Sequence, residues 1–398
     1  MLRLNGKKIR NVAVLAIALW ALALLFVFTN RGRAETTQNS QTQRSTVVPA
    51  ATPDDAPPVM PTPKPKPSPT PAGAEDNDVE VVRVTSNLVM VPVSVIDAAG
   101  QPVLGLKQPD FAIEEEGHAQ EIAQIGDPDQ VPLDIALLFD VSSSVSERYK
   151  FQQEAAARFL KQVLKPIDHA AIFSIKEQPV LEQQLASADV AAAKLLRIPA
   201  AVGPTPTAFY DTVISAAKYL ADNSPSNHRR VILVISDGED NFSEQIRESS
   251  VAEAEALGRA QTEAERLAVR ASRRKSQEDL HRRALIEVQR EVQRADVVFY
   301  SINPTGPSYR LNEISTRAEN GMQNLADATG GSAFIPETSE DLTTVFRQVA
   351  GELRSQYLLQ YYSTDESTSG RYLHIKVRVP THPVLRVRAR QGYYAKRR

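Results

Sequence analysis

An α/β fold built on a doubly wound, mostly parallel sheet is what this sequence predicts, and three observations predict it. From about Pro132 onward, short apolar runs alternate with helix-length amphipathic stretches, the pattern of strands joined by crossover helices. The run Ile135-Ala136-Leu137-Leu138-Phe139 ends directly on Asp140-Val141-Ser142-Ser143-Ser144, which places hard oxygen ligands where an open α/β sheet binds things, outside the carboxyl ends of its strands. β-rich segments flank this region on both sides, so the sheet domain is not the whole of the ordered chain.

The bulk numbers bound the reading. With 398 residues and 42% hydrophobic content, the chain can bury one substantial core and a smaller one, with room for non-globular segments. A formal net charge of −2 argues against a nucleic-acid partner, which normally demands a basic excess. Cysteine is absent. Disulfides, thiol chemistry and Cys-based zinc sites are therefore excluded.

Residues 1–10 form a basic N-terminus carrying Arg3, Lys7, Lys8 and Arg10, and residues 11–29 contain the uncharged run Val12–Phe28. That run is near the lower limit of the ~17–25 residues that cross a bilayer. The basic excess before it predicts a cytoplasmic N-terminus, with the rest of the chain periplasmic or extracellular. Thr29-Asn30-Arg31-Gly32-Arg33 offers no small-x-small cleavage site, which favours a single-pass signal anchor; cleavage would instead release a secreted protein. Residues 30–78 run through Pro61-Thr62-Pro63-Lys64-Pro65-Lys66-Pro67, whose alternating prolines predict a disordered, semi-rigid polyproline stalk.

Order is expected to resume in a small β module over 79–127, with strands at Leu88–Ile96 and around Phe111–Glu115 and a turn at Asp97-Ala98-Ala99-Gly100. The α/β domain follows over 128–350. Its strand candidates are Asp134–Phe139, Ala170–Ile175, Val231–Ile235, Val297–Ile302 and Ser332–Ile335; its helices include Tyr149–Leu164, Ala208–Leu220 and Met322–Thr329. Residues 243–294 exceed what a crossover needs. This interval is rich in Ala, Glu, Arg and Gln, and it carries Leu280, Leu285, Val288 and Val292 on a helical stripe. It predicts a helical insertion, a long helix or hairpin broken near Gly258 or near Arg273-Arg274-Lys275-Ser276, whose coiled-coil-like mixed charge reads first as a solvated, salt-bridged helix and second as a protruding partner-binding or oligomerising arm. Residues 351–398 form a C-terminal β segment. Lys376, Arg378, Arg386, Arg388 and Arg390 stand at alternate positions in it, a spacing that puts them on one sheet face, read first as a solvated outer face and second as a reader of anionic patches. A further arrangement packs the N- and C-terminal β segments into one unit, with the α/β domain inserted between them.

Asp140, Ser142 and Ser144 alone half-surround an ion, so a site needs oxygens from other strand ends. Thr207 opens the helix Ala208-Phe209-Tyr210-Asp211, and Asp237 ends the run Val231–Ser236 ahead of Gly238. Oxygen-only donors suit Mg²⁺, with Mn²⁺ or Ca²⁺ as substitutes, rather than a soft metal. In this order, Asp140-x-Ser142-x-Ser144, Thr207-Ala208-Phe209-Tyr210-Asp211 and Ser236-Asp237-Gly238 resemble the three parts of a metal-ion-dependent adhesion site in a von Willebrand factor type A (VWFA) domain. The flanks are similar to bacterial proteins with a VWFA-related domain, through Asp110-Phe111…Glu116-Gly117, Leu353-Arg354-Ser355-Gln356-Tyr357 and Gly392-Tyr393-Tyr394. The resemblance covers residues 79–396 and implies that Ser142, Ser144 and Thr207 supply hydroxyl ligands while Asp140 and Asp237 act directly or through waters. It departs from the family in the insertion after Asp237.

The function implied is metal-dependent binding of a protein partner whose Asp or Glu completes the coordination shell, by a membrane-anchored protein that is not an enzyme. Two alternatives stand beside it. One is a scaffold that engages partners through the 243–294 arm. The other is a metal-dependent hydrolase, disfavoured because no Gly-x-Ser-x-Gly elbow accompanies the serines and the six histidines lack paired spacing. Thr205 rivals Thr207, Asp134 and Asp211 read as structural, and Asp240 and Asn241 carry no required role.

Overall fold

The structure, a computed structural model, describes residues 88–142, 149–203, 205–307, 313–365 and 370–395. The basic N-terminus 1–10, the apolar segment 11–29, the stalk 30–78 and Ser144 lie outside the described residues. Among the described residues no helix is long and apolar enough to cross a membrane.

In chain order, strands β1 (Leu88–Ile96), β2 (Ala112–Glu115), β3 (His118–Gln120) and β4 (Ile122–Gly126) precede the α/β domain. That domain comprises β5 (Leu133–Asp140), α1 (Tyr149–Val163), β6 (His169–Ile175), β7 (Val180–Ala186), α2 (Ala188–Leu195), α3 (Phe209–Asn223), β8 (Arg229–Ile235), α4 (Glu244–Arg259), α5 (Glu263–Arg294), β9 (Val297–Ile302), α6 (Glu313–Thr329), β10 (Ala333–Phe334) and α7 (Ser339–Ser355). The chain then adds β11 (Tyr357–Tyr362), β12 (Tyr372–Arg378), β13 (Arg386–Ala389) and β14 (Gly392–Tyr394).

The central sheet runs β10-β9-β8-β5-β6-β7. Every ladder in it is parallel except β6–β7, which is antiparallel. Strand β5 is buried along its whole length, as a strand covered on both faces must be. Leu133, Ile135, Leu137 and Phe139 face a core with α1, α2 and α7. Ala136 and Leu138 face the opposite core with α3, α5 and α6. Strand direction reverses its order of growth between β5 and β8, which makes their shared carboxyl edge the topological switch point.

Strands β1–β4 and β11–β14 form two four-stranded sheets, β13-β1-β11-β4 and β14-β12-β2-β3. The N- and C-terminal β segments therefore share both layers of one sandwich, with the α/β domain inserted between them. Val89, Val91, Val93 and Val95 alternate into its core against Tyr357, Leu359, Tyr361 and Ile375.

The expected anion-reading face is corrected. Residues Lys376 and Arg378 belong to β12, whereas Arg386 and Arg388 belong to β13 in the other sheet, so they share no face. Three of the five cations are engaged: Arg378 with Glu114, Arg388 with Glu352 (3.2 Å), and Arg390 with Asp296. The last two tie the sandwich to the α/β domain. Gly330 permits this close approach, since a Cβ there would meet the Ala389–Arg390 backbone at 2.7 Å; within the α/β domain, a Cβ at Gly331 would meet the Phe299 carbonyl oxygen at 2.0 Å.

The 243–294 insertion is two helices. Its break falls at Ala260-Gln261-Thr262, just past Gly258, and α5 continues unbroken through Arg273–Ser276. Thr262 and Glu265 start α5 with a capping box, satisfying amides that the first turn leaves unpaired. The predicted stripe is its packing face: Ala284, Val288 and Val292 are buried against α3, with Leu280 and Leu285 partly so.

Candidate metal site

Strand β5 delivers Asp140 to the carboxyl edge of the sheet, and β8 delivers Ser236 and Asp237 beside it. Asp140 is buried at 1% exposure. Its Oδ1 accepts the Ser142 backbone N–H at 2.8 Å, and its Oδ2 accepts the Ser236 hydroxyl at 2.6 Å. Ser236 Oγ in turn accepts the Gly238 N–H at 3.0 Å. Gly238 takes φ +75° in a turn where a Cβ would meet Met322 at 2.8 Å, so the Asp-Gly step admits no side chain.

Thr207 comes from the loop that crosses the sheet edge between α2 and α3. The loop is pinned at both ends: Ala201 N–H donates to the Val141 carbonyl (3.0 Å), and Ala208 N–H to the Lys176 carbonyl (2.8 Å). Thr207 is buried at 5% exposure. Its N–H donates to Asn241 Oδ1 at 2.8 Å, and its carbonyl accepts the N–H groups of Asn241 and Phe242, each at 3.1 Å. The backbone takes all of these bonds, and the Thr207 hydroxyl is left available to a ligand. The rival Thr205 donates its hydroxyl to the Gly203 carbonyl at 3.2 Å.

The sequence places Asp240 and Asn241 near the site without a required role and does not single out Ser243; the structure gives all three a part in its frame. Buried Asp240 accepts the Tyr210 N–H (2.7 Å) and the Ser243 hydroxyl (2.5 Å) on Oδ2, and the Phe242 (3.2 Å) and Ser243 (3.0 Å) N–H groups on Oδ1. Together with Asn241, it fastens the loop after β8 to the start of α3. Asp211 completes the stitch by accepting the Glu244 N–H at 2.9 Å, which caps α4. The Asp-Asn-x-Ser run was a readable signal, since Asx residues bond backbone two and three positions on.

The donor set fits a hard divalent cation. Burial pushes the Asp140 carboxyl above its ordinary pKa, opposed by its bonds from Ser236 and Ser142. No Lys, Arg or His pairs with it among the described residues. A buried carboxylate with hydrogen-bond donors but no counter-charge is one that a cation would stabilise. The two carboxylates, Asp140 and Asp237, balance a 2+ charge, and Ser142 and Thr207 add neutral oxygens. Among the described residues no three His, Cys, Asp or Glu side chains gather to hold a metal; this set has two carboxylates and otherwise hydroxyls. The structure thus brings Asp140, Ser142, Thr207 and Asp237 to one edge.

Histidines lie elsewhere. His169 and His228 sit at the amino edge of the sheet around Asp134, with Nδ1 at 3.4 and 2.9 Å from its oxygens, and Ser224 donates to the same carboxylate at 2.5 Å. His281 of α5 meets the Tyr210 hydroxyl at 3.2 Å. Burial, aided by the Arg317 charge, lowers its pKa to about 4.

The sequence matches no protein-family model and no curated protein. Solved structures similar to the chain include proximal thread matrix protein 1 from the mussel byssus with a zinc-occupied MIDAS motif, at 14% identity and TM-score 0.37 over 60% of this chain. The match spans about half of that protein, 49% of its length. The VWA domain of SpRpn10 matches at 12% identity and TM-score 0.36, covering 53% of this chain and 94% of that one. BatB from Bacteroides thetaiotaomicron matches at 12% identity and TM-score 0.32, covering 55% and 97%. All three matches are at low identity and low TM-score. The chain's own sheet order, with the candidate site at the switch point, is that of a doubly wound, mostly parallel α/β fold.

Proposed function

We propose that this chain is a divalent-metal-dependent protein-binding module, in which Asp140, Ser142, Ser144, Thr207 and Asp237 hold Mg²⁺ or a substitute ion and a partner's Asp or Glu completes the shell. The observation that carries the reading is Asp140: a carboxylate at 1% exposure on the switch-point edge, hydrogen-bonded by Ser142 and Ser236 yet without a cationic partner among the described residues. When bound, the ion supplies a positive point that captures a carboxylate. The chain's own residues do the rest. Ser236 and the Ser142 amide orient Asp140, and Asp240 and Asn241 hold the Thr207 loop against the Asp237 loop.

The role is binding rather than catalysis. No Gly-x-Ser-x-Gly elbow accompanies the site serines, and the clustered imidazoles of His169 and His228 are at the opposite edge, bonded to Asp134. The apolar segment 11–29 and the proline-rich stretch 30–78 support a membrane anchor and stalk that present the site outside the cytoplasm. Recovery of proteins bound by the full-length chain in Mg²⁺, in chelator, and with Asp140→Ala tests the reading. Binding lost in both perturbed arms while the fold survives supports it. Binding indifferent to both, but lost when 243–294 is shortened, assigns the interface to the helical arm instead.

A further inference from the structure

We propose that Arg247, in the first turn of the helical insertion, selects partner segments that carry a second acidic group beside the metal-completing carboxylate. This rests on the metal reading above and names the chemistry of its partner. Helix α4 grows directly out of the loop that bears Asp237. Its first residue, Glu244, is fixed to Asp211, and the Arg247 N–H bonds the Ser243 carbonyl at 2.9 Å. The Arg247 guanidinium lies over the Phe242 ring, 5.6 Å from its centroid. Phe242 is itself part of the site's frame, its N–H shared between the Thr207 carbonyl (3.1 Å) and Asp240 Oδ1 (3.2 Å). The cation is therefore held on a ring next to a candidate ligand rather than on a free surface stem.

Arg247 is exposed and has no carboxylate within 4.0 Å among the described residues, and its charge acts at longer range on Asp211. Its surroundings make that charge consequential. Asp211, Glu239, Asp240 and Glu244 crowd the same loops, and two site carboxylates are neutralised by the ion. An acidic partner meets net negative protein around the central metal, and Arg247 offers it a positive flank. Arg317 of α6 also lies near the start of α3, where its charge acts on Tyr210 and His281. A rim cation of this kind governs specificity and encounter more than total affinity. The arm and the metal site then form one ligand face, with the root of α4 as the contribution of the arm.

The test uses the full-length chain with Mn²⁺ and capped peptides holding one central Glu, flanked at neighbouring positions by Ala, Asp or Lys, read by calorimetry. The wild type should prefer an Asp-flanked peptide over its Ala counterpart by about three- to fivefold at low salt, the range of an exposed ion pair. That preference should fade at about 0.5 M salt as screening sets in. Arg247→Ala should abolish it, and Arg247→Glu should turn the preference to Lys, with Mn²⁺ affinity unchanged in both variants. Equal affinities for all flanks, or no peptide binding by a chain that does bind Mn²⁺, overturn this proposal and leave the metal reading standing. Failure of the wild type to bind Mn²⁺ overturns both.

Discussion

Replacing Asp240 with alanine removes one of the side chains that join the two loops of the candidate site. The carboxylate accepts four hydrogen bonds, from the Tyr210, Phe242 and Ser243 amides and the Ser243 hydroxyl, at 2.5 to 3.2 Å. Bonds to a charged acceptor contribute about 1.5–3 kcal/mol each in isolation, but they are not additive. Part of the loss is returned, because burial already raises the Asp240 pKa and its removal relieves that cost. A net destabilisation of about 2–4 kcal/mol follows, a large fraction of the stability of an ordinary domain. Urea denaturation followed by far-UV circular dichroism measures it. Because Thr207 depends on the same loop through Asn241, Mn²⁺ affinity should fall by about tenfold in parallel, equivalent to roughly 1.4 kcal/mol. A change under about 0.5 kcal/mol, the level of an ordinary surface substitution, with unaltered Mn²⁺ binding would refute the idea that Asp240 frames the site.

Two further outcomes follow from the packing and the titrating groups. Gly331→Ala would place a Cβ 2.0 Å from the Phe299 carbonyl and should yield little soluble protein, whereas Gly351→Ala, inside α7 with open space around it, should raise urea stability by about 0.5–1 kcal/mol. His281, with a folded pKa of about 4 below its ordinary 6.5, is neutral and seated in the native state. Its contribution is present above pH 6.5 and is lost as pH falls toward 4, so the stability gap between wild type and His281→Gln in urea titrations should shrink across that window.

Much of the α/β domain was legible because its strands are covered on both faces and so read as unbroken apolar runs; β5 and β8 show this in Ile135–Phe139 and Val231–Ile235. Strand β7 was not legible. It is an edge strand, Val180–Ala186, half-exposed and carrying Glu182, Gln183 and Gln184, and nothing in its pattern demands a sheet. Sandwich strands were visible singly, but their partners were not, since ladders such as Met90 to Gln360 join residues far apart in the chain. Alternating Arg386, Arg388 and Arg390 misled for the same reason: spacing gives a face, whereas Glu352 and Asp296 arrive from elsewhere. At the site, motif order pointed to Asp140, Ser142, Thr207 and Asp237, and the structure brings these four to one sheet edge. The hooks that hold them together, Asp240 to Tyr210 and Asn241 to Thr207, are long-range bonds that no local pattern displays.

The central claim is that the switch-point edge binds a divalent ion through Asp140. Titration of Mn²⁺ into the full-length chain, followed by electron paramagnetic resonance of the free ion, tests it most directly, with Asp140→Ala and Asp237→Ala beside the wild type. The account predicts one saturable site in the wild type, competed by Mg²⁺ and lost in both variants while their circular dichroism stays native. Equal Mn²⁺ binding by wild type and Asp140→Ala, or no saturable site in any of the three, would contradict it.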